Sequence, residues 1–228
     1  EHTIQGKLEG ILSKMAGTPV EIQGSGRTDA GVHALGQVAN FKTNSQIPIE
    51  KFAIAINSRL KKSIVIKKAE EVDERFHSRL NCKRKTYRYI INNSPYGTAI
   101  YRYLETHIPQ KLNVEKMKKA VKYFIGEHDF KAFKASGTSS KSSVRTIYDA
   151  KIYQNGDKIY IELTGNGFLY NMVRIIAGTL IRVGTGEYKP EQIPEILAAK
   201  DREMAGPTAP AHGLTMIGIE YEDLEEKS

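Results

Sequence analysis

A hairpin signal in the second half of the sequence constrains the fold more than any other feature. Two runs rich in β-branched and aromatic residues, 146–154 and 158–163, flank the turn Asn155-Gly156-Asp157. Asn-Gly in such a position supplies the positive φ angles that tight hairpin turns require. The sequence therefore predicts a pair of antiparallel strands here, and a sheet that is not built from parallel βαβ units alone.

Further strands and helices are predicted on both sides of this hairpin. Residues 83–92 alternate between two faces, and Tyr87, Tyr89 and Ile91 share one of them. Extended runs are also predicted at 20–23, 32–43, 64–72 and 213–221. Apolar residues recur at helical spacing in five segments: 3–16, the segment after Pro48, 114–124, 170–183 and 190–200. Helices interleaved with hairpins are typical of an α+β fold with largely antiparallel sheets.

The order of elements predicts a division of the chain into two halves. Strands and helices follow a similar coarse order before and after about residue 80. We therefore expect two α/β halves, residues 1–79 and 80–228. In the first helix, Thr3 is a candidate N-cap and Gly17 a candidate C-terminal stop.

The charge balance points to an anionic partner. The chain has 34 Lys and Arg against 26 Asp and Glu, which gives a net charge of +8 and a pI near 9.3. Such an excess is typical of proteins that bind phosphates. Cys82 is the only cysteine, so no intrachain disulfide can form, and the 6 His residues show no zinc-ligand spacing. We predict a cytoplasmic protein with no membrane span and no metal.

A glycine-rich segment, Gly24-Ser25-Gly26-Arg27-Thr28-Asp29, carries the candidate chemistry. It does not fit a dinucleotide fingerprint, because Asp29 stands where a third glycine would and an extended run follows. Two uses of Asp29 remain open on the residues alone. It could cap the turn by accepting backbone N–H bonds, or act on a substrate that the glycines allow to approach closely. Arg27 favours a site that handles phosphates or bases.

The same segment carries a family resemblance. Gly26-Arg27-Thr28-Asp29-Ala30-Gly31-Val32-His33-Ala34 resembles the signature of the tRNA pseudouridine synthase A family. Five further segments match that family in the same order: Phe76-His77-Ser78-Arg79, Lys85-Thr86-Tyr87-Arg88-Tyr89, Gly126-Glu127-His128-Asp129-Phe130, Phe168-Leu169-Tyr170-Asn171-Met172-Val173-Arg174 and Ala209-Pro210-Ala211-His212-Gly213-Leu214. The strand and Tyr-Asp-Gly segment with which the family usually begins do not precede the first helix here.

The resemblance implies a fold and an activity. The fold would be two ferredoxin-like halves with largely antiparallel sheets, joined across a central catalytic cleft. The activity would be an isomerase that converts uridine to pseudouridine at positions 38–40 of the anticodon stem-loop of tRNA. It would cleave the C1′–N1 bond and form a C1′–C5 bond. The protein would work without a cofactor, as a homodimer.

The resemblance also implies roles for four residues. Asp29 would be the catalytic nucleophile, attacking C1′ or C6 or assisting proton removal. Arg174 would neutralise it and help to bind substrate. Arg27 would fill the vacated base stack or hold a phosphate, and Tyr87 would stack on the flipped uracil. From the residues alone, a core aromatic is the commoner use of a Tyr such as Tyr87, although Arg84, Lys85 and Arg88 beside it weaken that reading, and a solvated helix residue is the commoner use of Arg174.

Two other functions are compatible with a basic α+β protein. A catalytically idle RNA-binding protein would need the same charge but not the set of Asp29, Tyr87 and Arg174. A nuclease would need a carboxylate cluster for two metals or a His pair, and neither is apparent in the sequence. We therefore expect the isomerase.

Overall fold

The computed structural model of the chain describes residues 3–137 and 142–221. Two compact units are present. The first contains the segments up to Arg27, Val38–Cys82 and from Tyr221 onward, and the second contains Thr28–Gln37 and Lys83–Glu220. A single boundary between residues 79 and 80 would place residues 28–37 in the N-terminal half. In the structure this segment belongs to the second unit, because part of it pairs with a strand of that unit's sheet.

Helices and strands are mixed along the described residues. Residues 3–137 and 142–221 form five α-helices: α1 (Ile4–Ala16), α2 (Ile49–Asn57), α3 (Val114–Val121), α4 (Met172–Thr185) and α5 (Gln192–Ala199). The same described part of the chain forms nine β-strands: β1 (Gln23–Gly24), β2 (His33–Ala34), β3 (Ala39–Asn40), β4 (Cys82–Asn92), β5 (Thr106–His107), β6 (Gly126–Asp129), β7 (Val144–Asn155), β8 (Lys158–Gly165) and β9 (Leu214–Tyr221). This mixed composition confirms the predicted α+β class.

The first unit is organised around α1. Thr3 caps this helix by accepting a hydrogen bond from the Gly6 N–H at 3.0 Å, and Gly17 ends it with a φ of 71°, both as predicted. Strands β1 and β3 pair antiparallel as a two-stranded sheet. A small apolar core consists of Leu12, Val20, Ile22, Phe52 and Ile56.

One strand prediction in this unit is wrong. Residues 64–72 form no strand in the structure. The Asn57 side chain donates to the Ile66 carbonyl at 2.8 Å and accepts from the Ile66 N–H at 2.7 Å. Because a side-chain amide satisfies the backbone of Ile66, this residue packs against the unit core without a partner strand.

The second unit is built on a seven-stranded sheet. Its order is β2-β9-β4-β8-β7-β6, and β5 pairs with β4 outside this path. The pairs β4–β8, β7–β8 and β6–β7 are antiparallel, whereas β2–β9 and β4–β5 are parallel. Strands β7 and β8 form the predicted hairpin, with Asn155 opposite Lys158 and Gly156 at a φ of 57°. The prediction of largely antiparallel sheets is therefore confirmed.

Helices cover the apolar face of this sheet. Helix α3 packs against α4 and β7. Strand β4 presents Tyr87, Tyr89 and Ile91 to the core on one face, as its alternation predicts. Helix α4 is buried over most of its length, and this rigid element carries Arg174 in its first turn.

Glu162 on β8 joins the three central strands of the sheet. Its carboxylate accepts from Arg88 Nε at 2.6 Å and from the Tyr153 hydroxyl at 2.9 Å, and Lys151 Nζ lies 3.2 Å away. Burial alone would raise the pKa of Glu162. The hydrogen bonds from Arg88, Tyr153 and Lys151 outweigh burial and hold this pKa below its ordinary value.

We expect Glu162→Gln to destabilise the protein at neutral pH and much less in acid. A depressed folded-state pKa stabilises the fold above the unfolded pKa, and this stabilisation is lost as the pH falls through the folded value. At pH 7 the free energy of unfolding should fall by about 1–2 kcal/mol, measured by urea denaturation. Glu220→Gln is the matched control, because Glu220 is exposed and lies 3.9 Å from Arg84. A Glu162→Gln deficit that does not change with pH would contradict this account.

Candidate active site

The loop that carries Asp29 is fixed at its C-terminal side by the sheet. His33 and Ala34 pair in parallel with Thr215 and Met216 of β9. Within the loop, the Val32 N–H donates to the Asp29 carbonyl at 3.1 Å, which closes a tight turn. Gly31 lies inside this turn with a φ of 87°, a left-handed conformation that glycine adopts without the strain it imposes on most L-residues. The turn and the strand together fix the backbone position from which the Asp29 side chain extends.

Asp29 and Arg174 form an ion pair. Arg174 Nη1 lies 3.1 Å from Asp29 Oδ2, although 145 positions separate the two residues in the chain. The side chains are 33% and 16% exposed for Asp29 and Arg174. The contact expected between the two residues is therefore present. The guanidinium places a positive charge directly beside the Asp29 carboxylate.

Two further acceptors orient Arg174. Its Nε donates to the Ala209 carbonyl at 2.8 Å, and its Nη1 donates to Asn171 Oδ1, also at 2.8 Å. The Ala209 N–H in turn donates to the Arg174 carbonyl at 3.1 Å. A guanidinium is planar, so bonds at Nε and Nη1 together fix its plane.

A glycine allows the segment that carries Ala209 to approach α4. A Cβ at Gly178 would lie 1.8 Å from the Pro207 carbonyl oxygen, so any other residue would collide with the backbone there. The Gly206 N–H donates to Thr179 Oγ1 at 2.9 Å, which ties the same segment to the helix. The Ala209 carbonyl therefore reaches Arg174 because α4 has no side chain at position 178.

Tyr89 on β4 also holds the segment that carries Ala209 in place. Its hydroxyl donates to the Pro210 carbonyl at 2.9 Å and shares a 2.6 Å hydrogen bond with Thr106 Oγ1. Burial raises the pKa of Tyr89 to about 12, so the hydroxyl stays protonated and remains a donor. The sequence alone indicates no individual role for Tyr89, Asn171 or Ala209. The only signal that could have found them is their position inside the segments that resemble the family.

Tyr87 lies in the core-facing row of β4. It is 9% exposed, and its ring meets the half-buried Phe168 edge-on, with centroids 5.2 Å apart. Edge-to-face contact of this kind fixes the orientation of both rings. Tyr87 is thus packed in the core of the second unit, and its stacking role stays a prediction.

Arg27 belongs to a different unit from the other three candidates. It is exposed and lies in the first unit, whereas Asp29, Tyr87 and Arg174 lie in the second. Within residues 3–137 and 142–221, no three His, Cys, Asp or Glu side chains come together as a metal site would require. No helix in that same part of the chain has the length and apolarity needed to cross a membrane.

Comparison with known proteins gives the family. A family model described as tRNA pseudouridine synthase matches residues 1–81 and 120–222. A tRNA pseudouridine synthase A from Ruminiclostridium cellulolyticum is 53% identical over 220 residues, which cover 96% of this chain and 90% of that protein. Proteins of the same name from Thermoanaerobacter pseudethanolicus and Brevibacillus brevis are 52% and 47% identical over 219 residues, with the same coverage. The chain therefore belongs to the tRNA pseudouridine synthase A family.

Proposed function

We propose that this protein converts uridine to pseudouridine at positions 38–40 of the anticodon stem-loop of tRNA, with Asp29 as its nucleophile. The observation that carries the proposal is the Asp29–Arg174 ion pair, which joins two of the segments resembling the family. The named relatives act on tRNA, and a net charge of +8 suits a polyanionic substrate.

The reaction is a rearrangement, so its atoms balance within the substrate. The bond between C1′ of the ribose and N1 of the uracil breaks, the base rotates, and a bond forms between C1′ and C5. The hydrogen on C5 is lost to solvent as a proton, and N1 gains a proton. Asp29 would hold the fragments together by attacking C1′ or C6, or would assist proton removal, and Arg174 would pair with its carboxylate.

The substrate uridine has to leave its stack before Asp29 can reach it. Tyr87 would contact the face of the flipped uracil, and Arg27 would occupy the vacated stack or hold the phosphate of the flipped nucleotide. The family resemblance is the support for both roles. The same resemblance supports a cytoplasmic location and a homodimer. Sedimentation equilibrium of the purified protein would test the homodimer, and a monomer at micromolar concentration would contradict it.

Transcripts with single uridines test the position of modification. We expect the protein to form pseudouridine in tRNA transcripts whose only anticodon stem-loop uridine is at position 38, 39 or 40, as detected by chemical mapping. A transcript with cytidine at all three positions is the control and should remain unmodified. Pseudouridine elsewhere in that control transcript would contradict the assignment of positions 38–40, although it would still show that the protein forms pseudouridine.

We expect Tyr87→Phe to process tRNA at close to the wild-type rate and Tyr87→Leu to be about tenfold or more slower. Phe keeps both the ring face for stacking and the edge-on contact with Phe168, whereas Leu keeps only apolar volume. Loss of stacking on one base costs about 1–3 kcal/mol. Single-turnover rates measure the difference, and thermal unfolding of each variant controls for packing. Equal rates for the two variants would show that Tyr87 is a core residue only.

A further inference from the structure

Asn171 has an unusual backbone conformation directly beside the ion pair. It precedes α4 with a φ of 60° and a ψ of 6°, in the left-handed region. Within the described residues, Asn171 and Lys200 are the only non-glycine residues with positive φ. Asn tolerates this region better than most residues, although glycine would adopt it with the least strain.

The Asn171 side chain does not cap the helix that it precedes. An N-cap Asn usually accepts from a backbone N–H of the first turn, and here no such side-chain bond forms. Instead, Oδ1 accepts from Arg174 Nη1 at 2.8 Å. The capping position is thus used to hold a guanidinium.

Asn171 and Asp29 share one nitrogen of Arg174. Nη1 carries two hydrogens, and it lies 3.1 Å from Asp29 Oδ2 and 2.8 Å from Asn171 Oδ1. The bond to Asn171 uses one hydrogen and directs the other towards Asp29. The bond from Nε to the Ala209 carbonyl fixes the remaining freedom of the guanidinium plane. An amide suits this place because it accepts a hydrogen bond without adding a negative charge beside Asp29.

We propose that Asn171 is a positioning residue for the reaction, acting through Arg174 to aim Nη1 at the Asp29 carboxylate. The inference rests on the proposed function of Asp29. Misplacement of a catalytic partner by about 1 Å can reduce a rate up to about 100-fold, so loss of one of the three bonds should have a measurable cost.

Replacement of Asn171 by glycine distinguishes the effect of its side chain on the rate from the effect of its backbone conformation. Asn171→Gly keeps the left-handed backbone and removes the acceptor, so we expect the single-turnover rate on tRNA to fall about tenfold, with tRNA affinity unchanged within about twofold. Asn171→Asp also tolerates this backbone. It should be slower than wild type, because its carboxylate adds a negative charge beside Asp29 and shares the charge of the guanidinium with it. Lys200→Gly is the matched control, since it relieves the other positive φ and should leave the rate unchanged.

A double-mutant cycle distinguishes positioning from general packing. If Asn171 acts through the planar guanidinium, Asn171→Gly should change the rate by less than about twofold in an Arg174→Lys background. A wild-type rate for either Asn171 variant, or a full tenfold loss that persists with Lys at position 174, would overturn the inference. The wild-type protein in the same assay tests the proposed function separately, because its turnover does not depend on the outcome for Asn171.

Discussion

Asp29→Asn is expected to reduce pseudouridine formation by about 1000-fold or more, while tRNA affinity stays within about twofold of wild type. Removal of a nucleophile removes a chemical step, whereas affinity comes mainly from phosphate contacts. Asn has nearly the same shape as Asp and its amide oxygen can still accept from Arg174 Nη1, so the local packing should persist. Pseudouridine formed per tRNA with enzyme in excess measures the first effect, and filter binding measures the second.

Asp149→Asn is the matched control for this substitution. Asp149 is an exposed carboxylate on β7 that lies 3.8 Å from Lys151 Nζ, and it has no assigned part in the site. We expect this variant to retain the wild-type rate. Comparable turnover by the Asp29→Asn and Asp149→Asn proteins would mean that the Asp29 carboxylate is not the nucleophile.

Arg174→Met is expected to impair both activity and stability. It removes the cation beside Asp29 and the bond to the Ala209 carbonyl at the same time. Stranding one partner of a fully buried pair costs about 3–5 kcal/mol. Since the Asp29 side chain is 33% exposed, water compensates part of this loss, and we expect about 1–3 kcal/mol. Urea denaturation measures the stability, and single-turnover kinetics should show a rate loss of about 100-fold.

Arg174→Lys tests the origin of the effect. Lys restores the positive charge but cannot donate in two fixed directions as the planar guanidinium does. We expect it to recover part of the stability and little of the rate. Full recovery of the rate with Lys would contradict a role for guanidinium geometry, and wild-type rate and stability in Arg174→Met would contradict the role of the pair.

Local signals were sufficient for much of the fold. Helix α1 begins after Thr3, whose side chain accepts a hydrogen bond from the first turn, and ends at Gly17, which adopts a left-handed conformation. Both signals are properties of single residues. The turn at Gly156 and the alternation along β4 likewise depend on neighbours within a few positions. The apolar run 64–72 predicts a strand that does not form, because the run itself does not reveal that the Asn57 side chain satisfies the backbone of Ile66.

Contacts between distant segments could not be predicted in the same way. The parallel pairing of β2 with β9 places residues 28–37 in the second unit, and no local pattern indicates that partner. The Asp29–Arg174 contact was expected only through the family resemblance, because 145 positions separate the two residues. The acceptors at Asn171 and Ala209 depend on the left-handed backbone before α4 and on the close approach of Pro207 to Gly178.

Release of tritium from tRNA that carries [5-³H]uridine tests the central claim most directly. Formation of the C5–C1′ bond displaces the hydrogen on C5, so each pseudouridine formed releases one label into water. We predict release by the wild-type protein and none above background by Asp29→Asn under identical conditions. Absence of release by folded wild-type protein that binds tRNA, or equal release by Asp29→Asn, would contradict the account.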